Sequence, residues 1–331
     1  MKEIIFDFPK QFKIGFELGQ KIGKIEKKID KVIICGLGGS ALSGSLLQLF
    51  ARQLNFNFKN FFVHRNYNLP NYAKKNSLIF TISYSGDTEE TISSLKEAIS
   101  RKMKVIAISS GGEMEKICKK LKTPFIKVPS GIQPRMALGY LFSSLFSALM
   151  KLKLVPDFKK EILSLEKKLK PKELEKEGEK IAKFLISKIP LIYSSLNYKE
   201  LARIWKTNFN ENSKIPAFFN YFPELNHNEM TGIGEANKKY RKIFRVIILR
   251  DEKDYSKNKK RMEILAKIFK KRGIQSKFLD LKGKNVFEKV FSSVILSLFS
   301  SYYLAKFQNV DPLPVKLVEE FKKIMKSSKI I

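Results

Sequence analysis

The sequence predicts an α/β protein of two halves, each a parallel sheet with helices on both faces. Short β-branched runs alternate with amphipathic stretches along most of the chain, which is the pattern of βαβ units. Each half closes on a long uncharged run, Met136–Met150 and Val290–Ala305, followed by Lys151 or Lys306. The 331 residues, 44% of them hydrophobic, suffice for two domains that each bury a core.

In the first half the strand-like runs are Val32–Cys35, Phe61–His64, Leu78–Ile82, Val105–Ile108 and Phe125–Val128. The helix-like stretches are Ser40–Gln53, Thr88–Arg101, Glu113–Lys120 and Pro134–Met150. Between Lys151 and Lys172, Pro156, Pro171 and interleaved Lys and Glu mark a connecting segment, read as a solvated helix. The second half repeats the order, with strands at Leu191–Ser194, Ala217–Phe219, Phe244–Leu249 and Lys277–Leu281. Its helices fall at Tyr198–Asn208, Ser256–Lys271 and Val286–Ala305. The expected boundaries are an N-terminal domain over 1–152, a connector over 153–177 and a C-terminal domain over 178–331. The repeated order suggests duplication of one α/β unit, although no repeat is evident residue by residue.

Composition narrows the function. The formal charge is +32, which first points to nucleic acid or an anionic membrane. Of the 64 basic residues, however, 54 are Lys and 10 are Arg, and they are spread along the whole chain. Base and phosphate readers favour Arg forks. A Lys-rich solvated surface is the better reading, with some attraction for small anions left over. Two Cys exclude a disulfide scaffold, and two Cys with two His leave little for a zinc site. The uncharged runs of 15 and 16 residues fall short of the ~18 that span a bilayer. They read as buried helices, and the start MKEIIFDFPKQF lacks the apolar core of a signal peptide. A reducing cytoplasm fits the two unpaired Cys.

Two turns could carry chemistry. Strand Val32–Cys35 runs into Gly36-Leu37-Gly38-Gly39-Ser40-Ala41, a nominal G-x-G-x-x-A fingerprint. A dinucleotide site wants an acidic residue about 20 positions on. No Asp or Glu occurs between Lys31 and Gly86, whereas Lys31, Arg52, Lys59, Arg65, Lys74 and Lys75 all do. An anion-binding turn, or a tight turn without a ligand, remains. The second turn is Ser83-Tyr84-Ser85-Gly86-Asp87-Thr88, which opens a helix where free N–H groups favour anions. Capping by Asp87 or Thr88 explains part of it but not Ser83 and Ser85. In a parallel sheet both turns lie at carboxyl ends of strands, so Gly39, Ser40, Ser83, Ser85 and Thr88 could share one phosphorylated ligand. Further on stand Arg135, beside an otherwise uncharged helix, and Glu211 and Glu229 on either side of His227. A carboxylate and a histidine near a phosphate site suit acid–base chemistry on a sugar phosphate. His64 is given a structural role.

The segments GLGGSALSG, SYSGDTEET, QPRMALGYL, NENSKIPA and PELNHNEMTGI resemble, in order, the bifunctional phosphoglucose/phosphomannose isomerases of the sugar isomerase (SIS) superfamily. The resemblance runs from about residue 30 to 322. It implies two flavodoxin-like SIS subdomains and interconversion of fructose 6-phosphate with glucose 6-phosphate and mannose 6-phosphate, without a metal or redox cofactor. It implies substrate binding by Gly39 and Ser40, and a phosphate loop of Ser83, Ser85 and Thr88. Arg135 matches the residue that steadies the enediolate, and Glu211 the base that moves a proton between C1 and C2. His227 matches the residue that helps open the sugar ring, supplied in this superfamily by the partner of a homodimer. Val318-Glu319-Glu320-Phe321-Lys322 looks like the family's I-x-x-L-K, which makes Lys322 the candidate active-site lysine. Two positions depart from the pattern: Asp87 stands for the usual Asn of SYSGNT, and Ala41 for a common Gly. A catalytically silent sugar-phosphate-binding protein is the competing expectation, against which stand Glu211, His227 and Arg135 together. Nucleic acid and membrane are not expected partners.

Overall fold

The computed structural model describes residues 1–23, 25 and 28–327. Helices α1 (Lys2–Asp7) and α2 (Lys10–Gly19) precede the first sheet. That half then runs β1 (Lys31–Cys35), α3 (Gly38–Gln53), β2 (Phe61–His64), β3 (Ser77–Ile82), α4 (Glu89–Ser100), β4 (Lys104–Ser109), α5 (Gly112–Lys120) and β5 (Phe125–Lys127). A 3-10 turn, Pro134–Met136, and α6 (Leu138–Lys151) close it, and α7 (Lys159–Lys168) and α8 (Pro171–Phe184) lead onward. The second half begins with β6 (Ile189–Ser195), α9 (Lys199–Asn208), a π-helical turn at Phe209–Ser213 and β7 (Phe218–Phe222). A 3-10 turn, Glu224–His227, precedes α10 (Glu229–Gly234), α11 (Lys238–Arg241), β8 (Phe244–Arg250) and α12 (Ser256–Lys271). β9 (Gln275–Asp280), α13 (Val286–Phe307) and α14 (Lys316–Ser327) complete the chain.

Both sheets are wholly parallel, in the orders β2-β1-β3-β4-β5 and β7-β6-β8-β9. Counted within its own half, the second sheet reads 2-1-3-4, the first sheet's order short of one strand. The two halves therefore share one topology. Alternation along the strands builds three apolar layers. Val32 and Ile34 face the central layer while Ile33 and Cys35 face α4 and α5; in β6 Ile192 faces inward while Leu191 and Tyr193 face α12.

The central layer belongs to both halves. Phe50 of α3 stacks on Phe287 of α13 at 4.4 Å, and Phe142 of α6 lies 5.1 Å from Phe291. Rings of this size dominate the apolar area that folding removes from water, so the halves are held by a common core. Among the described residues α13 alone is long and apolar enough to cross a bilayer, and 67% of its most apolar window is buried inside the protein.

Two expectations shift. The stretch Pro134–Met150 is not one helix: it breaks at Ala137 (φ −90°, ψ 11°), which separates the turn carrying Arg135 from α6. The strand at Ala217–Phe219 lies further on, as β7. Helices α1, α2, α10, α11 and α14 carry no expectation from the sequence. Cys35 and Cys118 are buried and unpaired, and burial pushes their thiols up to about 12 and about 11.

Candidate active site

The two turns singled out by sequence lie side by side at the carboxyl edge of the first sheet. After β1 the chain turns through Gly38 (φ +49°) into α3. Tyr84 N donates to Ser40 Oγ at 3.0 Å, which ties the start of α3 to the loop after β3. In that loop Ser83 Oγ lies 2.8 Å from Thr88 Oγ1 and 3.5 Å from Ser85 Oγ, and Gly86 N donates to Ser83 Oγ at 3.1 Å. Three hydroxyls thus gather at the N-terminus of α4, each able to donate or accept.

Thr88 occupies the N-cap position of α4, but its hydroxyl meets Ser83 and makes no cap bond. Asp87 does cap a helix, and it is α5: its Oδ1 accepts from Glu113 N at 2.9 Å. That carboxylate is held outside the hydroxyl cluster, which accounts for an acid beside an anion loop. Ala41 lies inside α3 and is not among the residues at positive φ, so the missing glycine costs no backbone strain.

Arg135 joins this edge to the second half. A Cβ on Gly39 would lie 2.9 Å from Arg135 N, so only glycine lets the start of α3 pack so closely against the 3-10 turn. The Arg135 side chain is 1% exposed and all of its nitrogens are used. Nε donates to Asn212 Oδ1 at 2.5 Å and Nη1 to Glu211 Oε2 at 3.3 Å. Nη2 donates to the carbonyls of Pro312 and Leu313, at 2.7 and 3.0 Å.

Glu211 sits in the π-helical turn that ends α9, an irregularity common at functional sites. A serine ladder on α13 fixes this turn. Trp205 Nε1 donates to Ser293 Oγ, Asn208 Nδ2 to Ser297 Oγ and Asn212 Nδ2 to Ser301 Oγ, at 2.9, 2.7 and 2.9 Å. Serines four residues apart share one helix face, so the uncharged run is polar along one stripe. Burial raises the Glu211 carboxyl above its usual range, while Arg135, Lys214 and Lys206 pull it back down. Burial likewise lowers the Arg135 guanidinium, opposed by Glu211.

Two expected site residues stand apart from this pair. His227 is exposed in the 3-10 turn beyond the carboxyl end of β7, whereas Glu211 precedes the amino end of that strand. Strand β7, five residues and roughly 17 Å long, runs between the two turns that carry them within one chain. Glu229, its neighbour in the motif, is held by Tyr193 Oη at 2.6 Å and Asn220 Nδ2 at 2.5 Å. Lys322 lies exposed on α14, and no hydrogen bond or ion pair joins it to Arg135 or Glu211. His64 contacts Tyr67 O at 3.3 Å. Sequence reasoning missed Asn212, Lys214 and the Pro312–Leu313 carbonyls. The first two lie inside the quoted NENSKIPA segment; the carbonyls belong to Asp311-Pro312-Leu313-Pro314-Val315, where the accepting groups are backbone and not side chain.

The corresponding edge of the second sheet has a cleft of about 680 Å³ lined by Arg250, Glu252, Asp280 and Lys289 among others. Two of its cations are paired, Arg250 with Asp280 at 2.7 Å and Lys289 with the buried Asp251 at 2.8 Å. The first edge, with its hydroxyls unspent on cations, is the candidate anion site.

Two doubly wound sheets on one core, with a Ser/Thr loop at the edge of the first, define a double-SIS protein. Residues 25–119 match the SIS domain family, and residues 174–325 the bacterial phospho-glucose isomerase C-terminal SIS domain. A putative phosphosugar isomerase from Clostridium difficile 630 has the same fold, at a TM-score of 0.73, 16% identity and coverage of 99% of this chain and 98% of that one. The bifunctional phosphoglucose/phosphomannose isomerase of Caldicellulosiruptor bescii is 36% identical over 97% of this chain and 98% of its own. That of Aquifex aeolicus is 35% identical over 89% and 90%. The chain belongs to the bifunctional phosphoglucose/phosphomannose isomerase family.

Proposed function

We propose that the protein interconverts glucose 6-phosphate, and mannose 6-phosphate, with fructose 6-phosphate by proton transfer through a cis-enediolate. The observation that carries this reading is the Arg135–Glu211 pair, 3.3 Å apart, with the Arg135 turn packed on Gly39 at the start of α3 and Ser40 tied to the hydroxyl loop through Tyr84 N. The loop supplies neutral donors and a helix N-terminus for the phosphate. Glu211, its carboxyl raised by burial, takes the C2 proton of the open-chain aldose and returns it to C1. Arg135 is already oriented by four contacts, so its charge faces the developing enediolate oxygens without reorganisation. Moving a proton between adjacent carbons is redox-neutral and asks for no cofactor. Delivery to either face of C2 gives the glucose or the mannose epimer.

Ring opening falls to His227, with Lys322. Because His227 lies beyond the far end of β7 from Glu211, it serves best when a homodimer brings one subunit's His227 to the other's Glu211. A cytoplasmic setting suits two buried thiols. A coupled assay starting from fructose 6-phosphate tests the reaction, and Glu211→Gln tests the base. Turnover should vanish while the sugar phosphate still binds; retained turnover removes Glu211 from the mechanism. A chelator should leave the rate unchanged.

A further inference from the structure

Lys214 follows the π-helical turn in the left-handed conformation, φ 57° and ψ 35°. Lys102, Lys122 and Lys153 adopt positive φ as well, each two residues past the end of α4, α5 or α6. What sets Lys214 apart is where its ammonium goes. Nζ donates to the carbonyl of Glu211 and lies 3.5 Å from the carbonyl of Pro312. Pro312 O is also the acceptor for Arg135 Nη2 at 2.7 Å, so the two cations converge on one oxygen beside the Glu211 carboxylate.

We propose that Lys214 is a positioning residue, whose ammonium locks the Glu211 turn against the Pro312 strap and joins Arg135 as a cation held beside the base. A lysine that merely closes a helix would bond the last carbonyls and stop there. Lys214 reaches past the helix to a segment almost a hundred residues on. The charged groups facing Glu211 are Arg135 from the 3-10 turn, Lys206 from α9 and Lys214 itself; Asp311 faces Lys214 from the strap. Lys206 and Lys214 are the cations there that a substitution can remove without breaking the buried Arg135 cluster. Burial and Arg135 lower the Lys214 ammonium, and Glu211 and Asp311 oppose them.

The inference rests on Glu211 being the base, and its test keeps the two apart. The left-handed backbone makes the substitution clean: Asn tolerates that conformation, so Lys214→Asn removes the cation and keeps the turn. Lys214→Arg keeps the cation. In protein labelled with 13C at glutamate carboxyls, Glu211 is identified by the resonance lost in Glu211→Gln. Its titration midpoint should rise in Lys214→Asn and stay near wild type in Lys214→Arg, whether or not the protein turns over sugar phosphate. In active enzyme the acid limb of kcat/KM should move to higher pH in Lys214→Asn. The loss should be about tenfold at the acid end and shrink as pH rises. A purely structural lysine would give the same loss at every pH and leave the titration unmoved; either result overturns the proposal. Should Lys214→Asn fold poorly by melting temperature, Lys214→Gly gives the same readouts at the same backbone conformation. Absent turnover in the wild type would sink the proposed reaction and leave the titration to decide on Lys214.

Discussion

Arg135 Nη1 and Glu211 Oε2 meet at 3.3 Å across the seam between the two sheets, 76 residues apart in sequence. The guanidinium that makes this contact is also bonded to Asn212, Pro312 and Leu313, so one side chain ties together the first half, the π-helical turn and the strap before α14. Lysine has the charge but not the fork. Arg135→Lys should lower kcat by about 10²- to 10³-fold, the cost typical of losing a fixed electrostatic donor. It should also lower the melting temperature, because Asn212 Oδ1 and two carbonyls lose buried donors. Kinetics and a thermal melt measure both; an unchanged melt would mean the seam is held by the aromatic core alone.

Glu211 makes a prediction about pH. Burial raises its carboxyl, and Arg135, Lys214 and Lys206 only partly offset this. A base must be ionised, so kcat/KM should climb with pH through a midpoint above the ordinary carboxylate range. For stability the sign runs the other way. A carboxyl raised on folding holds its proton more tightly in the native state, a contribution present below the unfolded pKa and lost as pH rises through the folded one. Glu211→Gln carries no such loss, and its melting temperature at pH 8 should equal or exceed that of the wild type. The difference should fade by pH 4. A variant clearly less stable at pH 8 would show that the Arg135 attraction outweighs burial.

Gly39 is required by approach. A Cβ there would lie 2.9 Å from Arg135 N and 3.0 Å from Arg135 Cα, contacts with backbone that cannot swing away. Gly39→Ala should push α3 and the Arg135 turn apart and cut kcat/KM by at least about tenfold, as displacements of 1 Å or less near reacting groups do. Ala41→Gly, two residues on in the same helix, should change kcat/KM little. Equal effects from the two would remove the close packing as the cause.

The hydroxyl loop should act on binding. Ser83→Ala removes the atom that meets Thr88, Ser85 and Gly86 N, and Thr88→Val removes its strongest partner at 2.8 Å. Each should raise KM for the sugar phosphate several-fold to about tenfold, one or so hydrogen bonds' worth, with kcat less affected. Asp87→Asn should leave KM close to wild type, because the Asp87 carboxylate is occupied by Glu113 N. A marked fall in KM for Asp87→Asn would instead mean that its charge is felt by the phosphate.

The sheets were legible because a buried parallel strand has to be a short β-branched run, and runs such as Phe61–His64 keep their boundaries in the fold. The convergence of Ser40 with Ser83 was legible for the same reason: parallel topology sends both turns to one edge. What the sequence hid was long-range. Asp87 reads as a cap for the helix that follows it and caps the next helix instead. The Pro312 and Leu313 carbonyls that hold Arg135 look like any other backbone. The break at Ala137 was hidden because Met136–Met150 is an uncharged run with no turn signal at Ala137, while Arg135 stands in a separate 3-10 turn that reaches Asn212. The serines of α13 lie within a run read only as uncharged and buried, and three of them form the ladder that seats Glu211.

The placement of His227 leads to a complementation experiment. Within one chain it lies past the carboxyl end of β7 and Glu211 lies before the amino end. If the proposed homodimer builds each site from one subunit's Glu211 and the other's His227, Glu211→Gln and His227→Ala fail for different reasons. Each homodimer has two defective sites. A mixed dimer places both defects in one site and leaves the other intact, as twofold symmetry requires. Unfolding and refolding an equal mixture should give half of the dimers mixed, and activity should recover to about a quarter of the wild-type value. The separately refolded variants, combined afterwards without exchange, should stay inactive. No recovery in the co-refolded sample, with mixed dimers verified by mass, would place His227 and Glu211 in the same subunit's site and require β7 and its flanking turns to rearrange.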